Sequence, residues 1–189
     1  LEAHHEGIIA LSACLAGEIP RKLLAHDFEG AKETALWYNR VFGQGNYYLE
    51  LQNHGIPEQQ EIIPEMLRLS KETGIPLVAT MHVHYVRKQD AKTQKVLICI
   101  QTNHTIDEDT GLEFGTDEFY LKSEEEMREL FSYAPQAVDN TALIAEQCNV
   151  EFDFGKTKLP HFDVPDNQDH FTYFQNKCLE GLKMHCGEN

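Results

Sequence analysis

The sequence holds 189 residues, with 31 acidic against 16 basic side chains, a net charge of −15 and 41% hydrophobic residues. That suits one ordinary folded domain, or a domain with the start of another, and excludes a disordered polymer. No apolar run approaches the roughly 18 residues that span a bilayer, and no Lys/Arg cluster offers the cationic surface that grips duplex DNA.

In chain order, Gly7 to Cys14 is a short apolar run, as expected of a strand buried on both faces. Asp27 can cap a helix that places Phe28, Ala31, Ala35, Tyr38 and Phe42 on one face, with Gly43 and Gly45 to stop it. Asn46 to Gln52 reads as a second strand. A helical segment follows within 57–73, carrying Ile62, Met66 and Leu69 on one stripe, and Pro64 predicts a kink or a late start. After Gly74-Ile75-Pro76, Leu77 to Met81 is a third strand, and a further helix covers about 88–101. Strands alternating with helices imply parallel βα units, in an open sheet or part of a barrel, whose functional groups sit at the C-terminal strand ends. Cys14, Glu50, His82 and His84 lie there.

The second half changes character. Ser123 to Glu126 is a capping box opening a helix with Met127, Leu130 and Phe131. Pro135 starts another, with Val138, Ala142, Ala145 and Cys148 expected to face inward. Residues 151–169 have the turn-rich composition of a linker. Phe171, Phe174, Cys178, Leu182 and His185 then repeat at helical spacing, and the pattern runs out at Asn189 as at a cut within a longer chain.

His82 and His84 are two apart on an extended segment, so both imidazoles can face one metal ion, with Cys14 able to join as a thiolate. The plainer reading makes them surface histidines and a core cysteine. Glu50 and His54 could face the same mouth, although a solvated loop pair is the commoner arrangement. The five cysteines form no CxxC pair, which argues for a reducing compartment and for small buried thiols. The first six residues lack the basic and apolar regions of a signal peptide, and a cytoplasmic location is expected. The sequence contains no GxxxxGK[ST], GxGxxG or GxSxG signature, and no close carboxylate pair of the kind that holds two magnesium ions.

Six segments in order, EGIIALSACLAGEIPRKLL (6–24), NYYLELQNHGIPEQQ (46–60), GIPLVATMHVHYV (74–86), FYLKSEEEMRELF (119–131), NTALIAEQCNVEFDFG (140–155) and LPHFDVP (159–165), resemble the alpha subunits of bacterial DNA polymerase III. The resemblance covers nearly the whole chain. It implies an α/β fold, with part of a polymerase-and-histidinol-phosphatase (PHP) barrel over 1–118, followed by a mainly helical segment over 119–189 that leads toward the palm. It also implies a metal site in which Cys14 and His84 match family ligands, while His82 stands where the family has aspartate. Zinc or manganese would serve an intact PHP site, and magnesium the palm of the parent. Expected partners of the parent are primer–template DNA, deoxynucleoside triphosphates, a sliding clamp and other replisome subunits. The segment itself reads as a scaffold or vestigial metal site without polymerase catalytic residues. The alternative is a stand-alone PHP-type metal-dependent phosphoesterase or 3′–5′ exonuclease.

Overall fold

The computed structural model describes residues 1–108, 115–157 and 159–187 and divides the chain into two compact units, Leu1–Asn149 and Val150–Asn189. In the first, β1 (Ala10–Leu11), β2 (Tyr47–Leu51) and β3 (Leu77–Ala79) form a parallel sheet in that order. Ala10 pairs with Tyr47, and Leu49 with Leu77. Three parallel strands in sequence order require a crossover between each pair. Helices α1 (Glu18–Leu24) and α2 (Phe28–Phe42) supply the first crossover, and α3 (Pro57–Thr73) the second.

Asp27 caps α2 by accepting the Gly30 N–H at 2.9 Å. The helix then turns Ala31, Ala35 and Phe42 inward, and Phe42 stacks on Tyr47 of β2. α3 begins with Pro57 at its first turn and runs through Pro64 to Thr73 without the late start that proline suggested. Its stripe of Ile62, Met66 and Leu69 is buried, and Gly74 ends it at φ 72°, a left-handed conformation that costs glycine no Cβ clash. Helix α1 lies outside the elements expected from sequence, and no side chain caps it. Its start depends on Gly17, where a Cβ would lie 2.4 Å from the Ser12 carbonyl oxygen.

Two expectations are corrected. The first strand is not buried on both faces: β1 is the sheet edge, only two residues long, and Ile8 and Leu11 are exposed. The central strand β2 has the doubly covered pattern instead, with Tyr47, Tyr48, Leu49 and Leu51 all buried. The cysteines are free but mostly not buried. Cys99 is inside and Cys14 partly covered, while Cys148, Cys178 and Cys186 are exposed.

A short 3₁₀ turn, Lys88–Asp90, leads into α4 (Ala91–Thr102). Tyr85 and Tyr120 then form an isolated parallel bridge. The predicted capping box opens α5 (Glu124–Leu130): Ser123 Oγ accepts from Glu126 N, and the Glu126 carboxylate accepts from Ser123 N. α6 (Pro135–Gln147) packs along β3, and Asn140 Nδ2 donates to the Leu77 carbonyl at 2.7 Å. Ala137 and Val138 are buried, but Ala142, Ala145 and Cys148 are exposed, so the inward stripe expected of α6 ends after its first turns. α5 and α6 complete the core around Met127, Phe131 and Val138, and the first compact unit runs to Asn149.

The second unit contains irregular chain, a 3₁₀ turn at Pro165–Asn167, and α7 (His170–Cys186). Asp169 caps α7 by accepting from Thr172 N at 2.9 Å. The predicted apolar repeat is present, yet Phe171, Phe174 and Leu182 are exposed. Among the described residues no helix is long and apolar enough to cross a membrane.

Candidate functional site

At the C-terminal end of the sheet the β1 ladder stops when Ser12 N donates to the Tyr48 carbonyl at 3.0 Å. The next step is made by a side chain, because Glu50 N donates to Ser12 Oγ at 2.8 Å. The chain then leaves the sheet through Ala13, at φ 66°, and Cys14 sits in the turn, where its carbonyl accepts from Gly17 N at 2.7 Å. Glu50 points across β2 toward β3. Its Oε1 accepts from Thr80 Oγ1 in a very short contact and from Gln52 Nε2 at 2.9 Å. Gln52 Oε1 is buried without a hydrogen-bond partner among the described residues. Glu50 is therefore a sheet-end anchor, not a loop residue.

His54 departs furthest from expectation. It is 2% exposed rather than solvated, and its ring lies flat on Phe119, with centroids 4.4 Å apart and planes 8° from parallel. Its Nε2 accepts from His82 N at 3.1 Å, and its Nδ1 rests against the amide of buried Gln59, 3.3 Å from Oε1. A neutral imidazole carries one N–H, so accepting at Nε2 requires Nδ1–H to donate to Gln59 Oε1. The same oxygen accepts from His54 N at 2.7 Å, and Thr116 Oγ1 donates to the His54 carbonyl at 2.7 Å. Burial, partly offset by the Gln59 hydrogen bond, pushes the His54 pKa down to about 4. His54 thus ties together the segments after β2 and β3 and the one preceding α5. A contact with Phe119, 65 positions away, leaves no trace in local periodicity.

His82 and His84 do lie side by side, with ring centroids 4.5 Å apart. Both are exposed, and His84 N donates to the Phe119 carbonyl at 2.9 Å. Burial and the neighbouring His82 lower the pKa of His84. Cys14 does not complete a set with them. Among the described residues no three His, Cys, Asp or Glu side chains are grouped so that they could hold a metal ion. Zinc takes four ligands, or three and a water. What the fold presents is a histidine pair, with the third nearby imidazole, His54, already engaged at both nitrogens, so the residues do not fit a complete metal centre.

The PHP domain family matches residues 1–54. The DNA polymerase III subunit alpha of Borreliella burgdorferi is 42% identical over 186 residues, 97% of this chain and 16% of the relative. The subunit of Treponema pallidum is 42% identical over 165 residues, 87% of the chain and 14% of the relative. That of Deinococcus radiodurans is 40% identical over 174 residues, 89% of the chain and 13% of the relative. The chain belongs to the DNA polymerase III alpha-subunit family. As a member it is a segment that includes part of the PHP domain and continues beyond it, spanning less than a fifth of the length of these relatives. Within a polymerase III alpha segment, the His54–Gln59–Phe119 cluster is a packing device that joins the sheet end to the chain entering α5.

Proposed function

We propose that this chain is a scaffold segment of a replicative DNA polymerase whose complete polypeptide carries out template-directed DNA synthesis. The observation that carries the reading is 42% identity over 97% of the chain to an alpha subunit. The parallel β1–β2–β3 order with intervening helices is consistent with an arc of a PHP-type barrel. Primer–template DNA, deoxynucleoside triphosphates, a sliding clamp and replisome subunits would be partners of the complete polypeptide, with magnesium at its palm. This segment, at net −15, is unsuited to holding DNA itself. Its role is architectural, because its buried histidine, His54, is committed to internal hydrogen bonds.

The test is primer extension with the complete reading frame and with the 189-residue chain. Incorporation is expected from the first and not from the second. No synthesis by the complete polypeptide would reject the polymerase reading, and synthesis by the chain alone would reject the scaffold role.

The His82–His84 pair favours a second reading, a PHP-type metal-dependent phosphoesterase or 3′–5′ exonuclease. Incubating a 3′-labelled oligonucleotide with the chain and manganese or zinc separates the two. Retained label is the outcome expected of a scaffold.

A further inference from the structure

Helix α4 is apolar on two opposite sides. Ile98 and Cys99 are buried in the first unit, whereas Val96, Leu97 and Ile100 are 47%, 55% and 71% exposed. With Lys92 and Thr93, these three fall at i, i+1, i+4, i+5 and i+8, one continuous helical face. Val83 and Val86, on the segment leading into the helix, are exposed as well. A contiguous exposed apolar face marks an interaction surface. We infer that the outward face of α4 is an interface, covered in the complete polymerase by another apolar part of the same polypeptide.

This inference rests on the polymerase reading above. Two observations select the occupant. The chain aligns to less than a fifth of each alpha subunit, so most of such a polypeptide lies outside the aligned stretch and is available to pack here. A second copy is disfavoured because each copy carries −15, and like net charges oppose association. Charge also defines the chemistry of the covering surface. α4 contains Lys92 and Lys95 and no acid, in a chain where acids outnumber bases almost two to one. The complement is an apolar patch with a carboxylate facing the Lys92 end.

The experiment is oxidative footprinting, read by mass spectrometry, on the 189-residue chain and on the complete polymerase. Phe131, which is 0% exposed, and Phe154, which is 89% exposed, serve in the chain as protected and reactive references. Leu97 and Ile100 should be modified in the chain, and their modification should fall to background in the complete polymerase. Equal modification in both overturns the inference, as does protection in the chain that disappears on dilution, since that means self-association. Primer extension by the same polymerase preparation shows separately whether the polymerase reading has failed. In a second measurement, Leu97→Glu in the complete polymerase should lower its thermal transition, and an unchanged transition counts against the interface.

Discussion

His54 concentrates the residue-scale energetics. Its ring fills the space against Phe119, accepts the His82 N–H and satisfies Gln59. His54→Ala removes the packing and leaves buried polar partners unmatched, a combination expected to cost about 3 kcal/mol. His84→Ala, at an exposed ring, should cost far less, and denaturant midpoints of the two variants compare them. The pH dependence has a definite sign. With a folded pKa of about 4 against 6.5 for an ordinary histidine, the folded state binds fewer protons than the unfolded state between those values. The contribution of His54 is therefore complete above pH 6.5, declines as pH falls, and is lost by about pH 4. The span corresponds to about 3 kcal/mol. Chemical denaturation at pH 7 and pH 4.5 should show this loss in the parent chain and a smaller one in His54→Ala. An equal loss in both would place the titration elsewhere.

At the scale of elements, ends are governed by local chemistry and faces by what packs on them. The reciprocal bonds between Ser123 and Glu126 need only four consecutive residues, so the start of α5 was readable from sequence. Ser123→Ala should destabilise the first unit by about 1 kcal/mol, measurable as a shift in urea midpoint at unchanged slope. The Gly17 turn is less forgiving, since a Cβ there meets the Ser12 carbonyl, a backbone atom and not the end of a flexible side chain. α6 illustrates the limit of pattern. Val138, Ala142, Ala145 and Cys148 form a proper helical stripe, but β3 has only three residues, and the packing they expected stops with it.

On the scale of the whole molecule, the first unit carries its own core, whereas none of the described residues of the second is buried. The buried cluster runs from Ile19 to Val138, all within Leu1–Asn149, and α7 has no buried residue. Limited proteolysis should cut first in the exposed, irregular chain over residues 150–157 and leave a resistant fragment ending near Asn149. Early cleavage inside α2 or α3 would contradict that division. For the metal question the expectation is substoichiometric zinc and manganese in tag-free protein, because two neighbouring histidines fall short of a ligand set. Stoichiometric metal that is lost in His84→Ala would mean that the site is assembled after all.

The sequence by itself determined the family, the alternation of strands and helices, and the caps at Asp27 and Ser123. Each of these depends on residues close together in the chain or on many ordered matches along it. It also placed His82 and His84 side by side, since two positions on extended backbone share a face. Only the tertiary structure decided that Glu50 binds Thr80, that β1 is an exposed edge, and that His54 is a core residue under Phe119. Burial is a property of what arrives from elsewhere in the chain. A histidine followed by glycine has the same local pattern whether its ring ends in water or against an aromatic face 65 residues away.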